Sequence, residues 1–194
     1  RRGLCGDVWL TATPTGARLE NVKVDTSVRK REISFESSLR NLSDDVPYAI
    51  RAEVRQNGQH VRDFLSKPFR SQDTDADRIA FTEAWRPEQL WDIHTPEHQY
   101  EVTLTLLDST GTALDTTVPH RFGFREFWID GRDFYLNGTR IYLCAVPLDN
   151  AQVGAAWATY DGARESLLRL KNFGSNAVYT HNYGCEPGSH LSFA

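Results

Sequence analysis

Three potential metal ligands, His181, Cys185 and His190, lie close together near the C-terminal end of the sequence. Structural zinc sites take four nitrogen or sulfur ligands at characteristic spacings. The spacing here matches no zinc pattern, and a fourth ligand is not evident. The sequence therefore predicts no metal site, and nothing in it indicates another cofactor.

Two carboxylates, Glu126 and Asp130, flank a short strand-and-turn segment. Carboxyl groups act as general acid, general base or nucleophile when a pair is suitably placed. Most exposed acidic side chains are instead solvated or ion-paired at the surface. We interpret both residues as surface groups of that kind, and no carboxylate pair of the chain is assigned a catalytic role.

The three cysteines, Cys5, Cys144 and Cys185, form no disulfide framework, because their number is odd and their spacing is wide. Free, partly buried thiols are the preferred interpretation. A bridge between Cys144 and Cys185 is the alternative, so the cellular compartment stays open.

Composition places the chain among ordinary globular proteins. It has 194 residues, 40% of them hydrophobic and 25% charged, with a formal net charge of -4. Acids and bases are interspersed, so there is no basic stripe of the kind that binds nucleic acid. No run of eighteen apolar residues suggests a membrane span. We expect neither nucleic acid nor membrane as a partner, and the start at Arg1 resembles a cut inside a longer chain.

Alternation of apolar and polar residues dominates the sequence from Val8 to about Arg121. Val22, Val24 and Val28 lie at even positions, whereas Tyr100, Val102, Leu104 and Leu106 give the clearest run. Each run puts its apolar side chains on one face of a strand. Six to eight short strands separated by turn residues predict an antiparallel sandwich over residues 1–125, without a helix longer than two turns. Six residues are expected between its sheets: Val24, Phe35, Ile50, Val54, Val102 and Leu104.

The period changes near Thr159. Asp161 to Gly174 places Ala163, Leu167, Leu170 and Phe173 on one stripe, with Asp161 as N-cap and Gly174 at the C-terminal end. Strands are predicted before it, over 140–146, and after it, over 176–180. Strand, helix and strand form a βαβ unit, so residues 126–194 begin a second, parallel domain that the chain does not complete.

Two back-to-back turns, Asp130-Gly131 and Asn137-Gly138, join these regions, and the residues around them carry a family resemblance. The segments are Gly3 to Leu10, Leu90-Trp91 with Pro96 and Tyr100, Phe122-Gly-Phe-Arg125-Glu-Phe, and Phe134-Tyr-Leu136-Asn137-Gly138-Thr-Arg-Ile141. Together they resemble the central region of glycoside hydrolase family 2, which includes β-galactosidases, β-glucuronidases and β-mannosidases. The resemblance spans nearly the whole chain, and the Gly-Phe-Arg and Leu-Asn-Gly segments are its most specific part.

The resemblance implies an immunoglobulin-like sandwich followed by the hairpin, strand 1, helix 1 and strand 2 of a (β/α)₈ barrel. Both catalytic glutamates of this family lie on later barrel strands, so this chain alone is expected to be inactive. Barrel active sites form at the C-terminal ends of the strands. On that basis Asp149, His181 and Asn182 are the expected substrate-proximal residues, with capping of loops and backbone groups as the alternative role.

Two functions fit these observations. The first is a non-catalytic part of a glycosidase acting on β-linked sugars, in which the sandwich braces the barrel and the intact enzyme binds a carbohydrate substrate. The second is a free-standing carbohydrate-binding or interaction module, which would have no use for a βαβ unit. Because so small a parallel unit is not stable alone, we expect the tail to pack on its own sandwich or to form a homodimer with the tail of a second copy.

Overall fold

The computed structural model describes residue 8, residues 10–148 and residues 159–180. Within them the chain is mainly β, with thirteen strands and one α-helix. None of the described helices is both long and apolar enough to cross a membrane.

The first sheet of a sandwich contains three antiparallel strands in the order β1-β2-β5. Alternation gives β2 one inward face, on which Ile33, Phe35 and Leu39 are buried. The strands are β1 (Arg18–Ser27), β2 (Glu32–Arg40) and β5 (Arg78–Ala84).

The second sheet has the order β4-β3-β6-β7, and β8 also pairs with β6. Its β3–β4 turn is Asn57-Gly58, with φ of 50° and 78°, the left-handed pair that a two-residue hairpin loop requires. The strands are β3 (Ala49–Gln56), β4 (Gln59–Leu65), β6 (Tyr100–Leu107), β7 (Ala113–Thr116) and β8 (His120–Phe122).

These sheets confirm the predicted immunoglobulin-like sandwich. No described residue before position 120 belongs to a helix longer than the three-residue 3₁₀ turn Ser71–Asp73. Five of the six expected core residues are at most 1% exposed, whereas Val24 is only partly buried against the core. Val24 lies on β1, an edge strand, where fewer neighbours cover the side chain.

An aromatic cluster occupies one end of this core, centred on Trp85. Its ring centroid lies 5.1 Å from Tyr100, 5.3 Å from Phe124 and 5.8 Å from Phe64, each in an edge-on arrangement that suits aromatic pairs. The Tyr100 hydroxyl donates a 3.1 Å hydrogen bond to the carbonyl of Gln89. A tyrosine at the start of strand β6 thus ties down the preceding loop, as a tyrosine corner does in immunoglobulin-like domains.

A three-stranded antiparallel sheet, β11-β10-β9, follows the sandwich. Gly131 and Arg132 connect β9 to β10, and Asn137-Gly138 connects β10 to β11. The Asn137-Gly138 turn is confirmed, whereas the first turn lies one residue later than the expected Asp130-Gly131, because Asp130 still pairs with Asp133. Both turns use left-handed glycines, at φ of 59° and 93°. The strands are β9 (Phe127–Asp130), β10 (Asp133–Leu136) and β11 (Thr139–Ile141).

The tail contains the predicted parallel unit: strands β12 (Ala145–Leu148) and β13 (Ala177–Thr180) pair in parallel, with helix α1 (Tyr160–Asn172) between them in sequence. Three details of the prediction are wrong. The first strand begins at Ala145 rather than at residue 140. The N-cap is Thr159, whose side chain accepts a hydrogen bond from Gly162 N–H, and not Asp161. Phe173 is 88% exposed because the helix has ended there, so its side chain leaves the stripe on which Ala163 is buried.

The chain divides into two compact units. One is formed by residues 12–140, and the other by residues 141–194 together with residues 1–11. The domain boundary expected between residues 125 and 126 stays a prediction.

Candidate functional site

The substrate-proximal residues expected from sequence, Asp149, His181 and Asn182, lie outside the described residues. So do His190 and two of the cysteines. Among the described residues Cys144 is a free, exposed thiol, and no group of three His, Cys, Asp or Glu side chains could hold a metal ion.

Three of the segments that carry the family resemblance are joined by hydrogen bonds in one place, which we call the seam: Leu90-Trp91, Phe122 to Glu126 and Leu136 to Gly138. Trp91 connects its parts through the main chain. Its N–H donates to the carbonyl of Phe124 at 3.0 Å, and its carbonyl accepts from the Asn137 amide nitrogen at 2.7 Å. The loop before β6 is therefore bonded both to the end of the sandwich and to the hairpin that follows.

Gly123 allows the Trp91 side chain to reach this position. A Cβ atom at Gly123 would lie 2.5 Å from both Cβ and Cγ of Trp91, far inside van der Waals contact. Next along the chain, the Arg125 guanidinium lies 4.6 Å from the centre of the Trp91 ring, within range of a cation–π interaction. The Trp91 side chain therefore packs against the Gly123 backbone and lies next to the Arg125 guanidinium.

Asn137 bonds the hairpin to the seam from within its turn. Its φ of 53° is left-handed, a conformation that asparagine tolerates better than most residues. Its side-chain oxygen accepts a hydrogen bond from Glu126 N–H at 2.9 Å. Its main-chain N–H donates to the Glu126 carbonyl, also at 2.9 Å. Together with the bond to Trp91, the turn satisfies main-chain groups on two separate segments.

The Glu126 carboxylate extends the seam to the β1–β2 turn. One oxygen accepts from Arg29 N–H at 2.9 Å and from the Ser27 hydroxyl at 3.1 Å, and the other accepts from Arg29 Nε at 2.6 Å. Thr26 adds a bond to the main chain of the seam: its side-chain hydroxyl donates to the Arg125 carbonyl at 2.6 Å. The Glu126 side chain is only 12% exposed, so describing it as a surface group was wrong, although the expected ion pairing is present.

Arg29 also contacts the hairpin. Its guanidinium lies 4.4 Å from the centre of the Trp128 ring, and that ring stacks on Tyr135 at 5.5 Å. The β1–β2 turn therefore holds the sandwich exit through Glu126 and the hairpin through Trp128.

Charge at the seam favours the ionised form of Glu126. Burial by itself would raise the pKa of this carboxyl, but hydrogen bonds from the Arg29 guanidinium, Arg29 N–H and the Ser27 hydroxyl, together with the Arg29 charge, hold it below 4.5. The carboxylate is saturated with donors from its own chain. Its chemistry here is that of a structural anchor rather than of an acid or base.

Only some residues of this site could be recognised from the sequence. The motif residues Gly123, Arg125 and Asn137 carried a visible signal. The partners Thr26, Ser27 and Arg29 did not, because they lie almost a hundred residues away in the chain and belong to an ordinary polar turn.

The sequence matches no family model and no curated protein. Solved structures do match the fold. A β-glucuronidase from Bacteroides uniformis aligns with 91% of this chain at a TM-score of 0.63 and 21% identity. A family 2 β-galacturonidase from Eisenbergiella tayi aligns with 90% at 0.65 and 22% identity, and a β-glycosidase from Bacteroides vulgatus with 84% at 0.62 and 20% identity.

These likenesses show that the chain shares its fold with part of each of these three proteins, one of which is a family 2 enzyme. The chain spans only 22%, 30% and 21% of the length of those three proteins. It therefore corresponds to a fraction of each of them.

Replacing Glu126 by Gln tests the carboxylate anchor. The wild-type pKa is lower folded than unfolded, so the ionised carboxylate stabilises the fold at neutral pH, and this contribution is lost as pH falls through the folded pKa. We expect E126Q to lower the free energy of unfolding by about 1–2 kcal/mol at pH 7, and by progressively less as the pH falls below 4.5. Urea unfolding across this range measures it. The control is Glu83→Gln, which removes an exposed carboxylate; equal effects of both variants would contradict the anchor.

Replacing Asn137 by Gly keeps the left-handed turn but removes the side-chain bonds to Glu126 and Trp91. We expect a loss of about 1–3 kcal/mol, because two main-chain groups of the half-buried seam lose their partners. Asn57→Gly is a matched control, since Asn57-Gly58 forms the same kind of turn and the Asn57 side chain is exposed. Thermal and urea unfolding of both variants should show the larger loss for Asn137→Gly, and a larger loss for Asn57→Gly would refute the role of the seam.

Proposed function

We propose that this chain is the non-catalytic central part of a family 2 glycoside hydrolase acting on β-linked sugars. The sandwich braces the catalytic barrel, and residues 126–194 supply its first hairpin, helix and strands. Fold alone does not assign an activity. The observation that carries the proposal is the seam, in which the motif residues Trp91, Gly123 and Asn137 serve to fix the chain where it leaves the sandwich.

A sandwich that braces a barrel must hold rigidly the segment that leads from it into the barrel. Barrel catalysis depends on side chains placed at the ends of several strands, and small displacements of a catalytic group are costly for the rate. The hairpin is held to the sandwich on two sides, by the Asn137 amide and by Arg29 against Trp128. These contacts fix the hairpin relative to the sandwich.

The tail supports this proposal over a free-standing binding module. β12 and β13 pair in parallel, and Asn176 fixes the approach to β12: its side-chain oxygen accepts from Cys144 N–H and its nitrogen donates to the Tyr142 carbonyl, each at 2.8 Å. A parallel pair with a helix between its strands is a barrel-type repeat that a binding sandwich does not need.

The structural neighbours also support a substrate class for the complete enzyme. Several of them are β-glucuronidases and one is a β-galacturonidase. We therefore propose a β-linked uronide or neutral sugar as substrate of the complete enzyme. Asp149, His181 and Asn182 remain the proposed substrate-proximal residues of this chain.

Glycosidase activity should differ between this chain and the complete product of its gene. Retaining glycosidases need two carboxyl groups about 5–5.5 Å apart, and the proposal puts both on later barrel strands. We expect no release of nitrophenol from nitrophenyl β-glucuronide, β-galacturonide or β-galactoside by the 194-residue chain, and hydrolysis of at least one by the complete product. Turnover by the pure chain would contradict the proposal. If the complete gene product contains no barrel and binds glycans, the alternative of a free-standing binding module is favoured.

We also propose that the isolated chain forms a homodimer through its tail. Phe173 is 88% exposed, Tyr179 54% and Leu168 43%, and covering such apolar surface is favourable. Light scattering at micromolar concentration should give a dimer for the wild type and a monomer for Phe173→Asp. Val118→Asp, at a site 82% exposed on the sandwich unit, should leave the dimer intact. A monomeric wild type would overturn the idea.

A further inference from the structure

A cleft of about 350 Å³ lies beside the seam, between the β1–β2 turn and the segment that follows β5. Its walls include the buried residues Trp85 and Phe124 and the half-buried residues Val28 and Leu90. This volume is at the lower end of the range for small-molecule sites, which are typically apolar with a few polar groups at defined positions. The cleft could hold a compact molecule with one apolar face.

Two arginines, Arg31 and Arg86, line the exposed part of the cleft. Arg31 belongs to the basic run Arg29-Lys30-Arg31, in which Arg29 pairs with Glu126 and Lys30 with Glu32. Within the described part of the chain, neither Arg31 nor Arg86 has a side-chain hydrogen bond, an ion pair or a ring contact. These two guanidinium groups are therefore available to a ligand.

The backbone holds both arginines at the cleft. The Arg31 carbonyl accepts from Trp85 N–H at 2.8 Å, with Arg31 in a left-handed conformation at φ 58°. Arg86 follows Trp85 directly and precedes Pro87, whose ring restricts the backbone at this point. The backbone therefore fixes where the two side chains start, at the edge of the cleft.

Charge decides the kind of ligand. Glu88 also lines the cleft, so two cationic groups stand against one anionic group, which favours a negatively charged ligand. A guanidinium presents a planar pair of donors that matches a carboxylate, and Glu88 can accept from a hydroxyl or N–H group.

We propose that this cleft binds a small ring-bearing carboxylate, whose carboxylate contacts Arg31 and Arg86 while its ring lies against Val28 and Leu90. The site belongs to the sandwich itself and does not depend on the proposed glycosidase function. It would give the bracing unit a ligand of its own, separate from any substrate of a barrel.

Titration of the ¹⁵N-labelled chain with benzoate, followed by NMR, tests the site. We expect saturable shifts of the Trp85 indole N–H and of the amides of residues 28–31 and 86–90. Benzamide has the same ring without the charge, and acetate has the charge without the ring. Each should bind at least about tenfold more weakly than benzoate, since charge-assisted hydrogen bonds and ring burial each contribute about one such factor.

Variants separate the cleft from general attraction of anions to the surface. Arg31→Gln and Arg86→Gln should each weaken benzoate binding about tenfold. Arg132→Gln should not, because Arg132 is an exposed arginine in the β9–β10 turn, outside the cleft. Dispersed spectra show that each variant is folded. No saturable shift at residues 28–31 or 86–90, equal binding of benzamide, or an equal effect of Arg132→Gln would overturn the proposal.

Discussion

The packing of Trp91 on Gly123 is the constraint on which the joint between sandwich and hairpin depends. No side chain can stand at Gly123, because its first atom would overlap the Trp91 side chain. With the indole in this place, the two main-chain polar groups of Trp91 can bond to Phe124 on one side and to Asn137 on the other. The loop between β5 and β6 therefore holds the segment that leaves the sandwich, in addition to connecting the two strands.

Asn137 and Asn176 use their side-chain amides in the same way, each to bond two main-chain groups. The side chains of Asn137 and Asn176 each accept from one main-chain N–H and donate to one main-chain carbonyl. An amide combines donor and acceptor on one short, rigid group. It can therefore replace a missing ladder bond where strands diverge, which is what happens before β9 and before β12.

How much could be predicted depended on the range of the interaction. Alternation along β6 fixed its buried face, and local turn chemistry located the Asn137-Gly138 loop. The helix end was predicted less well, because apolar spacing does not show that Phe173 already has non-helical backbone. The bonds from Ser27 and Arg29 to Glu126 could not be predicted at all: they join distant segments through polar residues that are common in turns. For the same reason the partly buried Glu126, whose carboxylate oxygens both accept hydrogen bonds, looked like one surface carboxylate among many.

The two Asn-Gly turns differ in how they will age chemically. Deamidation of such a dipeptide begins when the glycine nitrogen attacks the carbonyl carbon of the asparagine side chain, so the amide must be free to rotate. At Asn137 both ends of the amide are held by hydrogen bonds, to Glu126 and Trp91. Asn57 is exposed at the tip of the β3–β4 hairpin. Storage will therefore convert Asn57 first and add a negative charge at the β3–β4 turn, while Asn137 is protected by the hydrogen bonds that it makes.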